Sequence, residues 1–245
     1  MNNLFDQPIL TLVIPVFNEV KNLERVVDNI MAVIFPGIVE LILVDDASGD
    51  GSSKLVHEIV EKISGENPKK FIFKSFLNEK NQGKGAAIRT GISLATGSII
   101  GINDADFEYD PQDIPMLIQP ILNKRADVVY GSRFQRGNTQ VKRTYHYLIN
   151  RFLTILSNLL SGIYLTDMET CYKFFRSEVL KDMDLVSNRF GFEVEVTAKL
   201  GKIDNLRMEE LPIRYYPRTQ LQGKKINWKD GFAALWHLFY FNVVA

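Results

Sequence analysis

The stretch "ILTLVIPVFNE", residues 9–19, decides the fold. It opens with an apolar run rich in β-branched side chains, the pattern of a strand buried on both faces of a sheet. The run stops at Asn18 and Glu19. A helical stripe follows, with Leu23, Val26, Val27, Ile30 and Ile34 on one side. "VELILVDD" (39–46) repeats the strand pattern and runs into the turn-rich "ASGDGSS". Leu55, Val56, Ile59 and Ile63 mark another helix, and "KFIFKSF" (70–76) a third strand. "GKGAAIRTGISLATG" (83–97) reads as a helix closed by Gly97. "SIIGIND" is the fourth strand and "ADVVYGS" (126–132) a later one. Strand–helix units of this length predict a mostly parallel α/β sheet with helices on both faces.

The bulk numbers narrow the function classes. A chain of 245 residues holds one large α/β domain or two small ones. Lys and Arg together equal Asp and Glu together, 29 each, so no global field favours nucleic acid. The single cysteine, Cys171, excludes an internal disulfide and a cysteine-rich zinc site. "MNNLFDQPIL" has neither the basic start nor the apolar run of a signal peptide. No apolar run reaches the 18 or so residues of a complete membrane span.

Parallel sheets bind ligands beyond the carboxyl ends of their strands. Those ends carry Asn18-Glu19, Asp45-Asp46, "NEKNQGKG" and Asp104-Ala105-Asp106. Any one of them would serve as a helix cap; four in register point to a site. Asp104, Asp106 and Glu108 are close enough to repel one another, so a positive charge is expected among them. Two carboxylates two apart on an extended segment face the same way and suit Mg²⁺ or Mn²⁺, with Glu108 as a third ligand. The bland alternative is an acidic loop capping a helix at 111–123, with Pro111 in its first turn.

"VIPVFNE", "ILVDDASGDGS", "NQGKGAAIRTG", "INDADFEYDP", "VVYGSRF" and "ELPIRYYPR…GKK" occur in this order over nearly the whole chain. Together they resemble the family 2 inverting glycosyltransferases of GT-A fold, in particular the branch of dolichyl-phosphate mannose synthases and polyprenyl-phosphate glucosyltransferases. The resemblance implies a GT-A domain over 1–220 and a basic loop with an amphipathic segment over 221–245. It implies a nucleotide-sugar donor such as UDP-glucose or GDP-mannose, a divalent metal, and a polyprenyl or dolichyl phosphate acceptor. Pro15, Phe17 and Glu19 match the nucleotide-binding turn, and Val44 and Asp46 the base and ribose contacts. Asp104, Ala105 and Asp106 match the metal and diphosphate site, with Glu108 where relatives carry a further metal ligand. Arg133 matches a donor-site arginine. Arg218 and Lys224 match basic residues of a loop over the donor, and Lys84 lies in the family's glycine-containing loop. Asp167 matches an aspartate near the acceptor.

The residues set beside this resemblance suggest how such a site works. Arg214, Arg218, Lys224 and Lys225 read as a phosphate clamp or as a solvated basic face. A hydroxyl acceptor needs a general base, for which Asp167 and Glu193 are the candidates; an acceptor phosphate needs none. Asp167 has a second reading, as a partner that orients Arg176 or Lys173. "RTYHYLINRFLTILSNLLSGIYL" (143–165) and "WKDGFAALWHLFYFNVVA" (228–245) are apolar helical patterns with aromatic and basic flanks. They suit a membrane interface, or a core or dimer-facing helix. The expectation is a catalytic domain at the cytoplasmic face of a membrane, with a homo-oligomer possible. Two other classes share part of the pattern. A receiver signalling domain shares "LILVDDASGDG" but has no use for D-x-D. A sugar nucleotidylyltransferase wants a glycine-rich, arginine-containing loop where this chain has "PVFNE".

Overall fold

In the computed structural model, β1 (Leu10–Val16) lies between β2 (Val39–Asp45) and β4 (Ile99–Ile102), parallel to both. The structure describes residues 7–66, 70–135, 145–189, 191–218 and 228–244. β3 (Phe71–Leu77) pairs parallel to β2 at one edge. Beyond β4 comes β6 (Lys173–Arg176), antiparallel both to β4 and to β5 (Val128–Ser132). β7 (Met208–Pro212) closes the other edge, parallel to β5. The seven-stranded order is β3-β2-β1-β4-β6-β5-β7. β2, β4 and β5 are buried at every position, so both faces of the sheet are covered.

The helices follow the apolar stripes. α1 (Leu23–Met31) buries Leu23, Val26, Val27 and Ile30. It ends before Ile34, which is exposed, while Val33 and Phe35 turn inward instead. α2 (Ser52–Glu66) packs on β2 and β3, and α3 (Lys84–Leu94) on β1 and β2. α3 stops sooner than expected, because Ala95 is already extended. Gly97 does not close the helix. It lets the chain pass β1 at close range, where a Cβ would stand 2.6 Å from the Thr11 nitrogen. A short 3₁₀ turn, Pro111–Asp113, leads into α4 (Ile114–Leu122), and Asp110 caps that turn by accepting from Gln112 N. α5 (Tyr145–Ser161) packs with α7 (Phe192–Leu200) and α8 (Trp228–Phe239), and α8 widens into a π-type turn over Tyr240–Val244. The short α6 (Ser177–Lys181) follows β6. No helix among the described residues is long and apolar enough to cross a membrane.

One buried charge ties the left half of the sheet together. Glu40, fully buried on β2, accepts from Thr11 Oγ1 on β1 (2.5 Å) and from Thr96 N and Oγ1 (both 2.8 Å), and pairs with Lys74 Nζ on β3 (2.6 Å). Burial pushes its carboxyl up, but the bonds from Lys74, Thr11 and Thr96 outweigh this and hold it below the usual glutamate range. A depressed folded pKa stabilises fully above the unfolded value of about 4.3, and is lost as pH falls through the folded value. Glu40→Gln is therefore expected to cost about 1–3 kcal/mol at pH 7. It should also flatten the loss of stability below about pH 4.3, as read by urea unfolding between pH 3 and 7. An unchanged acid slope would show that Glu40 is not the group responsible.

Candidate active site

The register places Val16, Asp45 and Leu77 side by side, so the loops after β1, β2 and β3 leave one edge together; β4 ends three residues earlier, at Ile102 beside Val13, and its loop continues towards the same edge. Most polar residues of the first two loops are used in holding the loops to each other. Asn18, in the left-handed region at φ 51°, donates its N–H to Ser48 Oγ and accepts from Gly49 N. Ser52 Oγ accepts from Glu19 N, and Asp50 accepts from Val20 N. Asp45 accepts from Ser48 N and Ser53 Oγ. Asp46 reaches the next loop, accepting from Asn78 Nδ2 (2.7 Å), Gln82 N (3.0 Å) and Gly83 N (2.6 Å). Gly83 (φ 102°) is wedged there, with Asn188 O 2.4 Å from where a Cβ would stand. Val44 is fully buried and belongs to the core, as does Ala105. Pro15 is half-buried at the end of β1, and Phe17 is 37% exposed.

The acids after β4 have cationic partners from within the chain. Residues 105–108 bend rather than extend, so the two aspartates meet different cations. Lys84, at the start of α3, sits between Asp104 (2.9 Å) and Glu193 of α7 (3.1 Å). Arg218 Nη2 meets Asp106 Oδ2 at 2.8 Å, its guanidinium lies 3.3 Å from Glu19, and its backbone N–H donates to Glu108 (2.8 Å). Burial, with Asp104 and Glu108 nearby, pushes the Asp106 carboxyl up to about 7, although Arg218 pulls against this. Glu108 also accepts from Tyr215 OH (2.7 Å). It tethers the segment after β7 instead of standing ready as a ligand. Among the described residues, no three His, Cys, Asp or Glu side chains converge as a metal cage.

Arg214 is an anchor, not a phosphate clamp. It is bound to Asp113 through its backbone N–H (2.6 Å) and side chain (2.8 Å), and to Asp110 (2.8 Å). Lys224 and Lys225 lie outside the described residues. Asp167, fully buried, takes Arg133 in a two-pronged pair (both 2.7 Å) and also accepts from Arg133 N. Its partner is thus Arg133 rather than Lys173, which donates to Met168 O, or Arg176, which pairs with Asp127. Glu193 is equally engaged: burial raises its carboxyl, but Lys84 and Lys173 hold it below the usual range. Cys171 is buried, and burial pushes its thiol up.

Two residues escaped the sequence reading. Glu210 on β7 accepts from Thr166 N, Thr166 Oγ1 and Asp167 N (2.7–2.9 Å), so it fixes the loop that presents Asp167 to Arg133. Glu169 has a buried Oε1 with no partner, and burial beside Glu193 pushes its carboxyl up to about 7. Spacing alone signals neither role; the "ELPI" motif marked Glu210 only as part of a pattern.

Residues 11–184 match the sequence family described as "Glycosyl transferase family 2". The chain belongs to this family. Within it, the chain is 28% identical over 222 residues to a dodecaprenyl-phosphate galacturonate synthase of Rhizobium johnstonii. That match covers 85% of this chain but only 59% of the longer relative. It is also 28% identical over 242 residues to a UDP-N-acetylglucosamine–dolichyl-phosphate N-acetylglucosaminyltransferase of Methanococcus voltae, covering 94% of each. Among solved structures, a glucosyl-3-phosphoglycerate synthase of Mycobacterium tuberculosis, in complex with Mn²⁺, UDP and glucosyl-3-phosphoglycerate, superposes with a TM-score of 0.65 at 21% identity. The superposition covers 98% of this chain and 81% of that one, so the family member shares its GT-A architecture.

The buried Asp167–Arg133 pair generates a stability prediction. Asp167→Asn leaves a buried guanidinium without its counter-charge, an expected loss of about 3–5 kcal/mol. Asp127→Asn, whose partners Arg176 and Arg207 are about half-exposed, is expected to lose about 1 kcal/mol or less. Urea unfolding of both variants checks the contrast, and equal losses would refute it.

Proposed function

We propose that this protein transfers a hexose or hexose derivative from a nucleotide-diphosphate sugar to a polyprenyl or dolichyl phosphate, with inversion at the anomeric carbon. The observation that carries the reading is the cluster of Asp104, Asp106, Glu19 and Arg218 at the carboxyl edge of a family 2 chain. Such an edge is where a GT-A donor belongs. The relatives named above act on dolichyl and dodecaprenyl phosphates, which supports the acceptor class. Their names also put N-acetylglucosamine and galacturonate beside glucose and mannose as sugars to be screened.

The residues fit a hard divalent ion. Mg²⁺ and Mn²⁺ are held by one or two carboxylates plus substrate phosphates and water, so a full protein cage is not required. Asp104 and Asp106 supply those carboxylates, and the buried, unpartnered Nε of Arg218 awaits a further acceptor. When bound, the ion would neutralise charge on the leaving diphosphate. Arg218, and Lys224 beyond the described residues, would add positive charge to the same phosphates. Phe17, Pro15 and Glu19 would border the base side, with Val44 and Asp46 setting the loop geometry behind them. An acceptor phosphate oxygen would attack C1 as the bond from C1 to the diphosphate oxygen breaks. No proton need move, since the attacking group is already anionic.

The acceptor's tail has a surface to reach from. On α5, Leu148, Phe152, Ile155 and Leu159 recur at helical spacing, and all are exposed, Leu159 at 77%. On the adjoining α8 and the turn after it, Trp236, Phe239, Tyr240, Val243 and Val244 are exposed as well. This adjoining apolar face supports docking on a membrane, where the isoprenoid is confined. Phe152→Glu with Leu159→Glu is expected to weaken binding to anionic vesicles at least tenfold while leaving the melting temperature within a few degrees. Unchanged sedimentation with vesicles would refute the docking face.

One observation favours a second reading. Glu169 is a carboxylate with a free oxygen, poised near neutrality, as a base for a hydroxyl acceptor would be. One experiment separates the two. Labelled UDP- and GDP-sugars are incubated with Mg²⁺ or Mn²⁺ and either a polyprenyl phosphate or a soluble sugar, using wild type, Asp106→Asn and Glu169→Gln. The proposal expects label in the organic phase only with the lipid phosphate. It also expects an on-the-order-of 100-fold loss in Asp106→Asn and little loss in Glu169→Gln. Transfer to the soluble sugar that Glu169→Gln abolishes would establish the second reading instead.

A further inference from the structure

Arg218 is seated on Asp106, one of the two carboxylates proposed above to hold a divalent ion. Its Nη2 lies 2.8 Å from Asp106 Oδ2, and Nη1 lies 3.3 Å from Glu19. The side chain is only 15% exposed, so this is a seated contact rather than a surface encounter. The backbone behind it is fixed: Arg218 N donates to Glu108, Tyr216 N donates to Glu108 O, and Arg214 is locked to Asp110 and Asp113. The guanidinium is therefore held at the acid by three anchors of its own segment.

We propose that Arg218 is a resident counter-ion that bars the divalent metal from the donor-free protein, so that the metal enters together with the nucleotide. This rests on the donor-site reading above. Two cations cannot share one carboxylate edge without repelling each other, and the low-dielectric surroundings of a buried pair strengthen that repulsion. A donor diphosphate removes the conflict. Its oxygens offer the guanidinium a bidentate partner, and the buried Nε, which has no partner now, gains one as well. Asp106 is then released to the metal. Because coupling between two ligands is reciprocal, nucleotide must tighten metal binding by the same factor as metal tightens nucleotide. Arg218 then has two opposite effects: it opposes the metal alone and supports the metal–nucleotide pair.

The test is Mn²⁺ binding, read by the spectroscopic signal of free Mn²⁺, to the full chain without nucleotide and with saturating UDP or GDP. Wild type, Arg218→Gln and Arg218→Lys are compared, with melting curves to confirm folding. Arg218→Gln is expected to bind Mn²⁺ alone about tenfold more tightly than wild type, and to lose most of the tightening that nucleotide confers. Arg218→Lys, which keeps the charge, should resemble wild type for Mn²⁺ alone. If Arg218→Gln binds Mn²⁺ alone no better than wild type, while wild type binds it with nucleotide, Arg218 is only a phosphate contact and the counter-ion role is overturned. If wild type binds no Mn²⁺ with either nucleotide, the donor-site reading itself fails, and the counter-ion role with it.

Discussion

Carboxylates crowd the carboxyl edge of this sheet, and the site is organised around neutralising them. Parallel strands bring Glu19, Asp46, Asp104, Asp106 and Glu108 to one rim, where mutual repulsion would open the loops. Each is met by a partner from a different part of the chain. Asp46 is satisfied by backbone and side-chain N–H groups of the 78–83 loop, Asp104 by Lys84, and Asp106 and Glu19 by Arg218. Because those partners come from α3 and from the segment after β7, neutralising the rim also fastens the last described part of the sheet to the first. The acids thus serve folding and chemistry at once.

A second charged layer lies deeper. Asp167 pairs with Arg133 just after β5, and Glu210 on β7 holds the loop that carries Thr166 and Asp167. Glu193, Lys84, Lys173 and Glu169 influence one another's protonation through a buried region between α3, α7 and β6. Burial pulls the Lys173 ammonium down to about 8, while the acids around it resist. Buried charges of this kind add little net stability, but removing one partner is costly. Their value is in fixing where Arg133 and Lys84 point.

The parallel half of the fold was legible because its strands are continuous apolar runs with no polar face to confuse the period. β6 and β7 were not legible. "KFFR" is four residues long and sits between polar loops, and "MEELP" lies on a half-exposed edge with two glutamates. The stripe of α1 overran to Ile34 because spacing alone cannot show where the backbone leaves the helix. Of the site, the loops and the D-x-D acids could be read from position after a strand. Their pairing could not, since Asp106–Arg218 and Lys84–Glu193 join residues more than a hundred positions apart. The same distance hid Arg214's attachment to Asp113 and made it look like part of a clamp.

β6 has a consequence for the spacing of the site. It is inserted between β4 and β5 against the direction of both, so its first residue, Lys173, lies at the rim where those strands end. Neighbouring strands stand about 4.8 Å apart, which sets the loop bearing Asp104 and the loop bearing Arg133 roughly 10 Å from each other. The 166–172 connection enters that gap from outside the parallel framework. It is pinned there at both ends: Asp167 is bonded to Arg133 and Glu210, and Cys171 N donates to Tyr109 OH.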